Sequence, residues 1–259
     1  MTRAQSAAQG RVQGSAFKSL FEVLREVLHD VNLTFNGHGM KIMTVDGSRV
    51  ALVYAKLNAE SFEQYACEGT LNLGVNLGHV HKLIKSSSNH DTISMYVLRS
   101  NTEELGIEVA QPEKRSMSRF QLKLLDVDVE NITIPDVEFQ SVITLPSQYF
   151  ARLCKDVSAI SDTITITSRA SQLIVSARGD FASQETIIDQ NTTTGGASGD
   201  EEEVTGSYLI KYILLFNKAA ALSSTLELYL KQGWPLISSY KIASLGELRF
   251  ILAPKIEAD

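Results

Sequence analysis

Three acids, Asp126, Asp128 and Glu130, take every second position in the stretch LKLLDVDVENITIPD, residues 122–136. Extended backbone turns alternate side chains to opposite faces, so these carboxylates share one side. Grouped oxygens of this kind could hold Mg²⁺ for nuclease or polymerase chemistry. An alternating acid strip on an exposed segment is more commonly just solvated, and no metal is expected here. His79 and His81 stand two apart; a helix would splay them to different faces, whereas a metal pair favours i, i+4. Gly37-His38-Gly39 lacks the spacing and terminal Lys-Ser/Thr of a phosphate loop, and no Gly-x-Ser-x-Gly occurs. Cys67 and Cys154 match no metal spacing and suit a reducing compartment, where thiols behave as small hydrophobes. No catalytic residue and no cofactor is expected.

The basic residues are more informative. Four expected helices each carry a pair: Lys18/Arg25, Lys82/Lys85, Arg152/Lys155 and Lys211/Lys218, eight of the 24 Lys and Arg in the chain. Any one pair reads as an ordinary solvent face. Recurrence in all four implies a shared basic surface, although the formal net charge is −6. Lys and Arg bind nucleic-acid phosphates without regard to sequence and in a salt-sensitive way. The same helices offer no Asn, Gln or Arg cluster suited to base edges. The expected ligand is therefore duplex DNA, tracked rather than read.

The elements that position these pairs follow from periodicity. Phe17, Leu20, Phe21, Leu24, Val27, Leu28 and Val31 recur at helical spacing, with Ser15 as the expected N-cap. Residues 74–87 read as a second helix with Asn76 near its start, 146–157 as a third opening at Pro146-Ser147, and 207–220 as a fourth. Between them lie short alternating runs such as VNLTF, RVALVYAKL and TITITS, with turn signals at Asn36-Gly37 and Asp46-Gly47. Helix–strands–helix–strands occurs twice, which predicts an internally duplicated α+β fold with antiparallel sheets, each domain carrying two helices. The expected domains are a disordered tail over 1–10, a first domain over 11–121, a linker over 122–136 and a second domain over 137–259. The polar segment DQNTTTGGASGDEEE is expected to be a mobile loop. After Asn131 the linker changes phase, because Ile132 and Ile134 take the parity of the acids, so a connector that presents these two isoleucines is expected. No apolar run approaches the roughly 18–20 residues of a membrane span, and no membrane partner is expected.

Several segments carry a resemblance. VQGSAFKSL, GVNLGHVHKLIK, QLKLLDVDVENITIPD, FARLCKDVS, the DEEE loop, ALSSTLELYL and LAPKIE are similar to the proliferating cell nuclear antigen family, the eukaryotic sliding clamps. The likeness runs from about Arg11 to the C-terminus. It implies the DNA-clamp fold, a two-domain protomer that closes head-to-tail as a homotrimeric ring, with helices around duplex DNA and sheets outside. Heterologous contacts that close on rotation make such rings. They would join Met117 and Phe120, on strand 116–121, to Arg178 and Phe181, at a strand near 178–188 of the next protomer. The eight basic residues fall at the family's DNA-facing positions. The family's partners are the clamp loader, DNA polymerase, flap endonuclease and ligase, which bind through a short peptide with a Gln and an aromatic plug. Matched residue by residue, the pocket walls are Val45, Ile132, Ile134, Pro235 and Ile251, with Ala253, Pro254 and Ile256 at the rim.

The resemblance implies a nuclear, non-enzymatic processivity factor for replication and repair. The alternative is a clamp-like adaptor, monomeric or hetero-oligomeric, that binds peptides without encircling DNA. Departures from the family pattern point to a divergent paralogue or a distant lineage. The polar N-terminus replaces a short strand, and a shortened segment before SYLIKYILLF threatens one strand of the second domain. Ala170 takes the place of the lysine that receives ubiquitin and SUMO, and Arg49 that of a common His.

Overall fold

The computed structural model describes residues 6–129, 132–135, 137–169, 172–189 and 203–255. They form two compact units. One comprises Met1–Thr44, Tyr54–Ile132 and Lys241–Leu248; the other comprises Val45–Val53, Thr133–Tyr240 and Arg249–Asp259. Both repeat one plan. The first half of the chain runs β1 (Ser6–Gln13), α1 (Gly14–Val27), β2 (Asp30–Asn36), β3 (Gly39–Val45), β4 (Ala51–Asn58), β5 (Gln64–Cys67), β6 (Leu71–Asn76), α2 (Leu77–Ile84), β7 (Thr92–Leu98), β8 (Asn101–Gln111) and β9 (Ser116–Lys123). The second runs β10 (Ser141–Pro146), α3 (Ser147–Ser158), β11 (Thr163–Arg169), β12 (Gln172–Arg178), β13 (Ser183–Asp189), β14 (Val204–Leu209), α4 (Ile210–Phe216), β15 (Thr225–Leu230), β16 (Leu236–Ile242) and β17 (Gly246–Leu252).

In the first unit the strands order as β5-β1-β7-β8-β9 and as β6-β2-β3-β4. In the second they order as β10-β15-β16-β17 and as β13-β12-β11-β14. Among the described residues the two series correspond strand for strand except for β5, which has no counterpart there. Asn58 N–H donates to Leu245 O at 2.9 Å in one unit, and Ala253 N–H donates to Val50 O at 3.0 Å in the other.

Helix α1 buries Phe17, Leu20, Phe21 and Leu24 while packing on α2, β1 and β7. Each such side chain contributes roughly 1.5–3 kcal/mol when fully buried. In the second unit α3 buries Phe150, Leu153, Cys154 and Val157 against α4 and the turn after it. Phe216 and Phe250 stack there at 4.4 Å between centroids.

Several expectations are corrected. Residues 6–10 are not a tail. They belong to β1, an interior strand bonded to β5 and β7. Its inward positions are Ser6, Ala8, Gly10 and Val12, too small to register as an apolar stripe. A Cβ on Gly10 would sit 3.0 Å from the Phe62 ring, so the small residue is what the packing requires. Helix α1 begins at Gly14, whose N–H donates to Asp91 O at 2.8 Å, so Ser15 is not the cap. It ends at Val27, because Val31, Leu33 and Phe35 alternate inward in β2. Gly74–Asn76 close β6 instead of opening a helix, and Asn76 Oδ1 caps α2 by accepting from His79 N–H at 3.0 Å. Tyr208 and Leu209 likewise belong to β14, which pairs with β11 along its length, so no strand is lost before α4. The acidic loop over 190–202 and Ala170 lie outside the described residues.

Candidate functional site

Basic side chains on α1 and α2 gather around one histidine. His81 is buried beside Val80 and Ile84 on the inner face of α2. Burial lowers its pKa, Arg25 lowers it further, Glu22 opposes, and Lys85 and Lys18 add to the lowering. Three of the unit's four expected basic residues therefore lie within electrostatic reach of one imidazole. Lys18 is half-buried and its Nζ donates to Ser87 O at 2.7 Å, tying α1 to the residues after α2. Arg25 pairs with Glu26 at 3.3 Å. Lys82 and Lys85 are exposed. Leu83 is only half-buried, and His81 takes the inner position. His79 is exposed, as two-residue spacing on a helix requires.

In the second unit Arg152 and Lys155 are exposed on α3, with Arg152 Nε donating to Gln148 O at 3.3 Å. Lys211 is exposed on α4 and holds its Nζ 5.0 Å from the Tyr212 ring centroid. Lys218 is exposed, but it stands in the 3-10 turn Asn217–Ala221 and not in α4. Cations spread over helix surfaces in this way suit phosphate contact by charge, with no geometry for base edges.

An apolar cleft of about 120 Å³ opens in the same unit, lined by Leu52, Thr133, Ile134, Pro135, Val137, Phe139, Trp234, Pro235, Ile237 and Ile251. It brings together three of the expected wall residues: Ile134, Pro235 and Ile251. Val45, Ala253 and Pro254 do not line it, and Ile256 lies outside the described residues. Phe139 is edge-on to Tyr229 at 5.3 Å, which braces this part of the lining. Val137, Phe139 and Trp234 went unread in the sequence. Val137 and Phe139 continue the half-buried alternation of the linker past Asp136, and Trp234-Pro235 is an apolar pair in a turn where polar residues are the norm.

The loop before Leu52 is fixed by Asp46. Its Oδ1 accepts the N–H groups of Val50 and Ala51 at 2.8 and 2.7 Å, and its Oδ2 the N–H of Ser48 at 3.1 Å. Burial acts to raise the Asp46 pKa, but these bonds and one from the Ser48 hydroxyl hold it below the usual carboxylate value. The Ser48 hydroxyl lies 2.5 Å from that of Tyr212. Arg49 takes φ 57° in this loop.

The linker starts in the first unit. Leu125 N–H donates to Gly74 O at 2.8 Å, closing the outer edge of β6. A Cβ on Gly74 would fall 2.1 Å from Leu125 O, so only glycine lets the linker approach. Asn32 Nδ2 then donates to Val127 O and Asp128 O at 3.0 and 3.2 Å. Asp126 and Asp128 are exposed, while Glu130 and Asn131 lie outside the described residues. Among the described residues no three His, Cys, Asp or Glu converge on a metal position. Ile132 lines a separate cleft with Val31, Asn32, Met43 and Val129. The two isoleucines of one expected pocket therefore serve two clefts.

Strands β9 and β13 end their sheets. Met117 on β9 is 53% exposed, Ile187 on β13 is 53% exposed, and Phe181 in the β12–β13 turn is 79% exposed. Phe120 is half-buried and Arg178 exposed. Two of the other sheet ends are guarded among the described residues: Leu125 bridges β6, and Lys255 N–H donates to Ser207 O of β14 at 2.7 Å. Unguarded edges with apolar side chains are templates for pairing with another chain. Among the described residues no helix is long and apolar enough to cross a membrane.

Comparison with known proteins gives a consistent picture. The family model described as the N-terminal domain of proliferating cell nuclear antigen matches residues 9–132, and that of the C-terminal domain matches residues 133–255. A curated relative, "Probable DNA polymerase sliding clamp 1" of Paramecium bursaria Chlorella virus 1, is 38% identical over 230 residues, covering 87% of this chain and 88% of the relative.

Proposed function

The chain belongs to the proliferating cell nuclear antigen family and is a DNA sliding clamp, and we propose that it works as a homotrimeric ring that encircles duplex DNA. Members of this family are scaffolds, and the role proposed for this chain is tethering, without catalysis. The observation that supports the ring is the pair of open edges. β9 and β13 end different sheets and carry or adjoin the exposed Met117, Phe181 and Ile187, so β9 of one protomer can pair with β13 of the next. A contact between unlike surfaces that closes on rotation makes a ring.

Lys18, Arg25, Lys82, Lys85, Arg152, Lys155, Lys211 and Lys218 are proposed to face the DNA. The apolar cleft at Ile134, Pro235 and Ile251 is proposed to take short peptides of a DNA polymerase, a flap endonuclease, a ligase and the clamp loader. Linkage to the template would raise the effective concentration of these partners, as any tether does. That serves replication and repair, and a nuclear site of action is proposed with it on the family's account alone.

Native mass at low micromolar concentration and loading on nicked circular DNA test the proposal together. A mass of three chains, retention on the circle and release on linearisation are expected. A persistent monomer that binds peptides but is never retained on the circle would establish the adaptor reading instead.

A further inference from the structure

Among the described residues, the large apolar side chains that stand exposed fall into place with one exception. Met117, Phe181 and Ile187 belong to the open edges, Leu125 and Val129 to the linker, and Trp234 to the apolar cleft. The exception is Tyr149, 40% exposed on α3. Single exposed apolar residues are common on protein surfaces, but this one stands among cations. Arg152 lies at i+3 on the same face of the helix. Its Nε donates to Gln148 O at 3.3 Å, which holds the guanidinium in the turn that carries Tyr149. Lys155 follows Arg152 at i+3 and is exposed. Gln148 Nε2 donates to Ala220 O at 3.0 Å, so the turn that carries Lys218 packs on the first turn of α3. Asp156 is the one acid of α3, seven residues past Tyr149 and therefore about 10 Å along the axis. That is about one Debye length at 0.1 M salt, so it offsets the cations little.

We propose that Tyr149 is a stacking platform for an unpaired base, with Arg152 and Lys155 holding the phosphates of the same strand. The chain would then favour DNA at the point where a single strand leaves a duplex. The proposal rests on the DNA-binding reading of the helices given above. Two physical arguments commit it to this occupant. Cations alone serve duplex and single strand alike, since both present phosphates. An aromatic ring adds nothing comparable on a duplex, whose bases stack on one another and offer only their edges, whereas an unpaired base offers its whole face. A ring flanked by cations is how sequence-tolerant single-strand sites are built, because every base has a face to stack. The other use of a tyrosine on DNA is its hydroxyl donating to a phosphate, and a phenylalanine separates the two.

The test uses the full chain and two labelled DNA hairpins of one duplex sequence, read by fluorescence anisotropy at low salt. One carries an overhang of thymidines, the other an overhang of abasic sites, which keeps the phosphates and removes the bases. The parent should bind the thymidine overhang about tenfold tighter, a difference of about 1.4 kcal/mol. Tyr149→Ala should erase that preference and leave the abasic hairpin within about twofold of the parent. Tyr149→Phe should keep the preference, because the ring stacks and the hydroxyl does not. Arg152→Ala should weaken both hairpins alike and flatten their salt dependence. All three variants should melt as the parent does, since exposed sites carry little stability. With 5-iododeoxyuridine in the overhang, irradiation should crosslink the base to Tyr149, as mass spectrometry would show. A preference that survives in Tyr149→Ala, one that is lost in Tyr149→Phe, or a crosslink elsewhere would overturn the proposal. Equal affinity of the parent for both hairpins, with retention on nicked circular DNA intact, would remove the stacking site and leave the clamp. Failure to bind either hairpin or to stay on the circle would remove both.

Discussion

At the scale of single residues, His81 and Gly106 make the sharpest demands. Burial and the cations Arg25, Lys85 and Lys18 hold the His81 pKa below its usual 6.5, against the pull of Glu22. The folded state then binds a proton less readily than the unfolded chain. The stability this residue supports is fully present above about pH 6.5 and is lost as pH falls through the folded value. Urea midpoints measured between pH 7.5 and pH 5.5 should fall, and His81→Gln should flatten that fall; an equal slope in the variant would show that other groups carry it. Gly106 lies opposite Tyr96 in the β7–β8 ladder, and a Cβ there would come 2.3 Å from the tyrosine ring. Gly106→Ala should cost about 1–3 kcal/mol through overpacking. Gly37→Ala, with open space around it, should cost far less in the same denaturation series. Gly106 did not stand out in the sequence, and His81 did so only as half of an unfavoured metal pair, because a histidine on an apolar stripe and a glycine in a strand acquire meaning only from what packs on them.

At the scale of elements, the linker divides its work. Leu125 is fixed by a backbone bond to Gly74, and the Val127 and Asp128 carbonyls by the Asn32 side-chain amide, while Ile134 lines the apolar cleft. Ile134→Ala should weaken peptide binding at least about tenfold, and Ile132→Ala less than about threefold, because Ile132 lines a different cleft. Equal losses in calorimetry would refute that division. The phase break after Asn131 made the linker legible as a connector. It could not show that the two isoleucines part company, since parity fixes a face and not a cavity. The strands with large alternating residues were legible for the same reason that β1 was not: Ser6, Ala8 and Gly10 satisfy the burial pattern without any hydrophobic signal. The helix pairs were legible from spacing, but the junctions at Asn76 and Leu209, where a strand runs directly into a helix, were placed too early.

At the scale of the whole molecule, Met117 and Ile187 stand on the two open edges. Replacing Ile187 with Lys, a residue that blunts edge pairing, should shift the native mass from three chains towards the single 28.5 kDa chain. Sizing alone decides it: an unchanged mass would place the subunit contact elsewhere. Loading on circular DNA should fail in the same variant, while peptide affinity should stay within about twofold, since no β13 residue is among those lining that cleft. The duplication and the family resemblance were legible in the sequence, whereas the open edges needed the sheet orders, because exposure of a strand depends on its neighbours. The division into units also bears on how the protein is made. Lys241–Leu248 belong with the unit that contains the N-terminus, and Asn58 bonds to Leu245. A ribosome delivers residues 241–248 only after Thr133–Tyr240 of the other unit. The unit begun first therefore completes its own contacts only once most of the other has been made.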